Sequence, residues 1–273
     1  MSKKLILLTI TVLALLSMVL FAGCGGNQEA AKAEKTSIKV GVTAGPHAEI
    51  LDEVKKVAEK DGLKVEIVEF NDYVQPNMAL NQGEIDLNSY QHQPFLDEQV
   101  KDRGYKIESI AKTVIFPIGI YSQKVKVLAD VKDGAIVSVP NDPTNGGRAL
   151  LLLQKVGLIK LKPNVGLNAT AADIAENPKN LQIKELEAAQ VPLSLKDVDI
   201  AVINTNFAIV AGLVPTKDSL AIEDANSPYA NIIVAQTKDK DNPAYKKFVK
   251  AYQSDEVKNF INEHFKGSAI AAW

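Results

Sequence analysis

The stretch PNDPTNGGRALLLL, Pro140 to Leu153, holds the residues of this chain best suited to gripping an anion. Asn145 is the expected helix cap, which leaves Gly146, Gly147 and Arg148 in the first turn with unpaired backbone N–H groups. Helical side chains lean toward the N-terminus, so Arg148 can reach past the helix end. Its guanidinium fork matches a carboxylate or phosphate, and the helix dipole adds ~0.3 to 1 kcal/mol to the same preference. Leu150 to Leu153 cover every side of the helix, which predicts a buried, rigid support. From the spacing alone two readings stand: an anion site, or an ordinary glycine-containing helix start with a surface arginine.

Other polar and aromatic residues gather at what the pattern marks as strand ends. They are TAGPH (43–47), NDYVQPN (71–77), NSYQHQPF (88–95), INTNF (203–207) and YAN (229–231). Asparagines and aromatics outnumber acids, bases and nucleophiles there, a composition suited to holding a small polar molecule rather than reacting with it. Nucleotide chemistry is disfavoured because neither G-x-x-x-x-G-K-[ST] nor G-x-G-x-x-G occurs. No H-E-x-x-H, C-x-x-C or paired histidines suggest a metal, and no G-x-S-x-G elbow suggests a hydrolase. His47 and His264 have no sequence-visible serine or cysteine partner. The chain therefore predicts no catalytic residues, no metal and no cofactor.

The elements that must position these residues alternate. SIKVGVT (37–43) and KVEIVEF (64–70) read as strands around a helix that begins at Pro46 and stops at Gly62, a βαβ unit with parallel strands. A short helix from Pro76 to Gln82, a strand EIDLNS (84–89) and a helix from Pro94 to Arg103 follow, the helices closed by Gly83 and Gly104. VIFPIGIYS (114–122) is extended but carries Pro117, so it should lie at a sheet edge or pass between sheets. A second series comprises AIVSVP, the Arg148 helix, LQIKELE, a helix near Ala188 to Leu195, and VDIAVIN. SPYANIIVAQ returns as a strand before helices around Ala244 to Tyr252 and Asp255 to Phe265. The expected architecture is α/β with two lobes, each a central sheet flanked by helices, two crossing strands, and a ligand in the cleft outside the strand ends. The expected division is 37–117 with 232–273 for one lobe and 118–231 for the other.

Residues 1–23 read as a secretory signal: Lys3 and Lys4, an apolar run to Phe21, and small residues before Cys24, the chain's one cysteine. LFAGC suits lipoprotein processing, with acylation of Cys24; an uncleaved membrane anchor is the alternative. Residues 24–36 are small, polar and charged, as a tether would be. Removing the signal takes two lysines and no acids, leaving 29 basic against 33 acidic residues, a net −4. That balance argues against nucleic acid as a partner.

FNDYVQPNMALNQGEIDLNSYQHQPFLD, VPNDPTNGGRALLLLQKVGLIKL, ENPKNLQIKELEAAQVPLSL and AVINTNFA together resemble the methionine-binding, NlpA-type lipoproteins of bacterial ABC importers, from about Ile38 to Trp273. The resemblance implies a periplasmic-binding-protein-like fold and a monomeric receptor, not an enzyme. It would be lipid-anchored to the cell membrane on the extracytoplasmic side. Its ligand would be L-methionine, or D-methionine or a dipeptide such as Gly-Met, delivered to a permease and ATPase complex; the alternatives are a receptor for another small anion, such as a phosphonate or sulfonate, and, ranked below it, a secreted enzyme on the same fold. It implies that Arg148 grips the ligand carboxylate and that Asn145, Asn204 and Asn231 hold its carboxylate and ammonium. Tyr73, Tyr90 and His92 would wall the thioether, with Phe70 and Phe116 beside them. The sequence departs from the family at Gly146, where a larger residue is usual.

Overall fold

A computed structural model describes residues 35–273, which form one compact unit; the signal, Cys24 and all but the last two tether residues lie outside the described residues. The first half opens with β1 (Ser37–Thr43), α1 (Pro46–Lys60) and β2 (Lys64–Phe70), the expected parallel βαβ unit, with Ser37 opposite Lys64 and Thr43 opposite Phe70. Then come α2 (Gln75–Gln82), β3 (Leu87–His92), α3 (Gln93–Arg103) and β4 (Ile107–Lys112). Gly83 and Gly104 end the two helices in the left-handed conformation, which costs a residue without Cβ little. β3 begins and ends three residues later than the hydrophobic pattern places it, so Tyr90 and His92 sit in the strand itself. β4, half-buried along most of its length, carries no clear pattern and was not expected.

The crossing behaves as Pro117 requires. β5 (Val114–Ile115) ends just before the proline, and β6 (Gly119–Tyr121) starts in another sheet. The second half continues with β7 (Ile136–Pro140), α4 (Pro143–Lys155), the short pair β8 (Lys160–Leu161) and β9 (Ile174–Glu176), and β10 (Gln182–Leu186). The helix expected over 188–195 is instead two 3-10 segments, Ala188–Gln190 and Pro192–Lys196; Pro192 lacks the N–H that a continuous α-helix would need. β11 (Ile200–Ile203), α5 (Thr205–Val210), α6 (Pro215–Asp218) and β12 (Ala221–Ile222) complete this half. The chain returns through β13 (Asn231–Gln236) and ends with α7 (Pro243–Tyr252), α8 (Asp255–Phe265) and β14 (Ile270–Ala271), which pairs with β5.

Two five-stranded sheets result, ordered β2-β1-β3-β13-β4 and β10-β7-β11-β6-β12. They share one plan: three parallel strands, then an antiparallel strand that the chain reaches on crossing (β13 or β6), then a last strand antiparallel to it. Both sheets are covered on both faces, and the strand period of two shows why. Ile233 and Ala235 of β13 join the core under α1, α7 and α8, while Ile232 and Val234 point into the core beneath α2 and α3. In β11, Ile200 and Val202 face the α4 core, and Ala201 and Ile203 face the core that includes Phe207.

The helix that carries Arg148 starts earlier than expected. Its cap is Asp142, not Asn145: the Asp142 side chain accepts the Asn145 N–H, and Pro143 occupies the first position, where a missing N–H costs nothing. Gly146 N–H already donates to the Asp142 carbonyl at 2.8 Å, so Gly146, Gly147 and Arg148 lie beyond the first turn and the expected free N–H groups are not theirs. Gly147 has a packing role. A Cβ there would lie 2.1 Å from the Leu167 carbonyl oxygen and 2.9 Å from the Ala169 nitrogen, so the 167–169 backbone rests directly on the helix. Gly147→Ala should therefore lower the unfolding free energy by about 1–3 kcal/mol through overpacking. Urea unfolding followed by circular dichroism measures it, and an unchanged midpoint would contradict the close approach.

Candidate functional site

A cavity lies where the strand ends of the two sheets meet. Eight of the nine residues expected to hold a ligand line it: Tyr73, Tyr90, His92, Phe116, Asn145, Arg148, Asn204 and Asn231. Phe70 does not. It ends β2 half-buried, with its ring over Gly41, where an added Cβ would come within 3.0 Å of it. His47, Gln91, Phe95, Thr205 and Asn206 also line the cavity.

Arg148 is 3% exposed, and its charge is compensated inside the protein. Glu223, just past β12, takes its Nε at 3.1 and 3.2 Å and its Nη2 as an ion pair. The Phe116 carbonyl accepts from Nη2 at 2.9 Å, and the guanidinium lies 4.3 Å from the centre of the Tyr229 ring. These contacts hold the planar group on three sides. A buried guanidinium without them would carry a desolvation cost of several kcal/mol. No sequence signal pointed to Glu223, which lies 75 residues from Arg148.

The polar side chains form a chain of fixed direction. The Asp142 carboxylate, which can only accept while ionised, receives Asn145 Nδ2 at 3.0 Å on each oxygen. Burial pushes the Asp142 carboxyl above its ordinary range, while hydrogen bonds from Asn145 and Thr144 pull it back. Asn145 Oδ1 must then face the cavity side, where it accepts from Asn204 Nδ2 at 2.8 Å and from His92 Nε2 at 3.2 Å. His92 Nδ1 accepts the Phe95 N–H at 3.2 Å, which independently puts the proton on Nε2. Asn204 Oδ1 remains, buried and without a hydrogen-bond partner.

On the other side, Thr43 Oγ1 meets His47 Nδ1 at 2.7 Å, and His47 Nε2 meets Asn231 Oδ1 at 3.1 Å. This leaves Asn231 with its N–H₂ for other partners. The tyrosines contribute rings rather than hydroxyls: Tyr73 donates to Asn206 Oδ1 at 2.6 Å and Tyr90 to the Tyr73 carbonyl at 2.9 Å. Burial raises both phenols, so they stay neutral. Tyr73, Tyr90 and Phe95 pack with centroids 5.9 to 6.2 Å apart, and Phe207 backs Tyr73 at 4.9 Å. Behind the wall, Asn77, Asn88 and Gln91 satisfy one another at 2.6 to 3.0 Å and tie α2 to β3. The cavity thus has a cationic and amide end, one unanswered acceptor, and an aromatic end.

The five residues that were not expected here, His47, Gln91, Phe95, Thr205 and Asn206, all lay inside the strand-end stretches singled out from the sequence. Their positions were legible, but not their roles, because each depends on a partner far along the chain. Both cavity histidines are kept neutral. Burial lowers His92 to about 3, assisted by the Arg148 charge, and lowers His47 to about 4 against the opposing bond to Asn231. In the unfolded chain a histidine takes up its proton near pH 6.5, so folding stability is full above that value and falls as pH drops toward 4. Denaturant unfolding should lose about 1.4 kcal/mol per histidine between pH 8 and 5.5, a window above the carboxylate range. Equal stabilities at the two pH values would contradict neutral burial of the pair.

A family model described as NlpA lipoprotein matches residues 38–273. The D-methionine-binding lipoprotein MetQ of Salmonella typhimurium is 54% identical over 263 residues, covering 95% of this chain and 96% of that protein. A nutrient-binding protein of Burkholderia cenocepacia, solved bound to methionine, superposes with a TM-score of 0.85 at 60% identity, covering 86% of this chain and all of its own. The crystal structure of a methionine-binding protein, MetQ, gives 0.86 at 54% identity, covering 87% and 98%. With its paired five-stranded sheets and the cavity between them, this chain belongs to the NlpA lipoprotein family.

Proposed function

We propose that this protein is a receptor that binds methionine as a zwitterion between its two sheets and delivers it to an ABC permease and ATPase outside the cytoplasmic membrane. The observation that carries the reading is the pairing of opposite hydrogen-bonding needs in one buried cavity. Arg148 keeps Nη1 for a carboxylate after Glu223 and Phe116 have engaged Nε and Nη2, and Asn231 offers its N–H₂ group. Asn204 Oδ1 needs a donor, which an ammonium supplies. The apolar tail lies against Tyr73, Tyr90, Phe95 and His92, where a methionine sulfur gains ~0.3 to 1.5 kcal/mol per aromatic contact.

Charge balance favours a zwitterion over a simple anion such as a phosphonate or sulfonate. Glu223 neutralises Arg148 and both cavity histidines are neutral, so there is no surplus positive charge to hold a net anion. The side chains at work hold and orient, which is what a receptor needs. Relatives named for D-methionine support a site that takes that enantiomer too.

The two lobes, 37–117 with 232–273 and 118–231, open and close about the crossing segments. Tyr73 to Asn206, His92 to Asn145, and Asn168 to Glu98 at 3.1 Å bridge them in the closed form. Closure discriminates ligands by their differential affinity for that state. Acylated Cys24 anchors the chain to the membrane by its tether. Among the described residues no helix is long and apolar enough to span a bilayer.

Native mass spectrometry before and after unfolding and refolding, followed by calorimetry with L-methionine, D-methionine and Gly-Met, tests the reading; lack of binding to all three would end it. Arg148→Ala should weaken methionine binding by about 2–5 kcal/mol, the cost of leaving a buried partner charge unpaired. Undiminished affinity in that titration would remove Arg148 from the site.

A further inference from the structure

We propose that Asp142, which lies outside the cavity, is a positioning residue that fixes the Asn204 amide with its oxygen toward the ligand and so makes an ammonium group obligatory. The inference rests on the receptor reading above and adds to it the origin of the selectivity for a zwitterion.

An asparagine amide offers a donor or an acceptor with nearly the same shape, and nothing in Asn204 itself decides which end faces the cavity. A 180° turn of that amide would present N–H₂ to the ligand, turning a site for an ammonium into one that repels it. The decision is made two hydrogen bonds away, at Asp142. Three donors converge on the Asp142 carboxylate: the Asn145 N–H at 2.9 Å, Asn145 Nδ2 at 3.0 Å and the Thr144 hydroxyl at 3.1 Å. A carboxylate has no proton to give, so Asn145 must turn its nitrogen toward it and its oxygen toward Asn204. Asn204 then donates Nδ2 to that oxygen at 2.8 Å and is left with Oδ1 on the ligand side, where it is buried and unanswered. The direction passes from an ionised group through two amides, each with one orientation that satisfies its neighbour. His92 Nε2, at 3.2 Å from the same Asn145 oxygen, is the weaker support from the other half of the molecule.

Asp142 is also the cap of α4, so the test must separate polarity from helix stability. Asp142→Asn keeps a capping oxygen, since asparagine caps as well as aspartate, but it no longer dictates which end of Asn145 faces it. Asp142→Ser does the same with a hydroxyl and serves if the asparagine variant folds poorly; melting temperatures establish that both are native. Calorimetry compares methionine with 4-(methylsulfanyl)butanoate, the same molecule without its ammonium. In the wild type methionine should bind far more tightly. In Asp142→Asn methionine should weaken by about 10- to 100-fold, the range for a lost hydrogen bond to a charged group. The deaminated acid should keep its affinity, so the selectivity ratio collapses.

A through-space effect of the Asp142 charge would also lower the ratio, and a double-mutant cycle separates the two. Asn145→Ala cuts the relay while leaving the Asp142 charge in place, so it should lower the ratio by itself, and adding Asp142→Asn should lower it no further. Equal weakening of both ligands in Asp142→Asn, or an additive cycle, would overturn the proposal. Wild-type protein that does not bind methionine would instead overturn the receptor reading, and the relay with it.

Discussion

Burying Arg148 is the constraint around which the binding region is organised. A guanidinium that is 3% exposed must find partners within the protein, and those it finds come from two distant parts of the chain: the Phe116 carbonyl at the first crossing, and Glu223 with the Tyr229 ring on the connection from β12 to β13. All three lie on segments that join one sheet to the other. The ion pair thus ties the crossing points to α4, whose Leu150, Leu152 and Leu153 are fixed in the second sheet's core. A carboxylate arriving in the cavity meets a cation already held in position, so little side-chain entropy is spent in ordering it.

A second constraint is that every buried polar atom needs a partner of the right kind. The residues around the cavity satisfy one another so completely that few hydrogen-bonding atoms are left over, and those few describe the ligand. Tyr73 and Tyr90 spend their hydroxyls on Asn206 and a backbone carbonyl, which leaves their rings as apolar surface. His47 and His92 spend both ring nitrogens and stay uncharged. Asn204 Oδ1 is left over as an acceptor. The aromatic end and the polar end are therefore separated by hydrogen-bond bookkeeping as much as by shape.

Much of the fold was legible from local signals. Gly83 and Gly104 closed their helices in the left-handed region, the strand period placed β1, β2, β7 and β11, and Pro117 marked the passage between sheets. What failed was decided by competition between neighbours or by distant partners. Asp142 and Asn145 are both good caps, and Pro143 at the first helical position decides for Asp142, a signal present in the sequence. β4 pairs with β13 although the two strands are more than a hundred residues apart, and it shows no clean alternation of its own. The site residues lay in strand-end stretches that the pattern exposed, whereas Glu223 and the direction of each amide depend on contacts that no spacing encodes. Phe70 illustrates the limit: its type suited an aromatic pocket, but Gly41 opened a place for its ring on the sheet instead.

The claim that joins these points is that one end of the cavity reads both charges of a zwitterion, with its donors and its acceptor set by the protein before any ligand enters. A high-resolution crystal structure of the wild-type chain with methionine tests it most directly. The account predicts the carboxylate on Arg148 Nη1 and Asn231 Nδ2, the ammonium about 3 Å from Asn204 Oδ1, and the thioether against Tyr73, Tyr90 and Phe95. A carboxylate at Asn204, or a thioether beside Arg148, would contradict it.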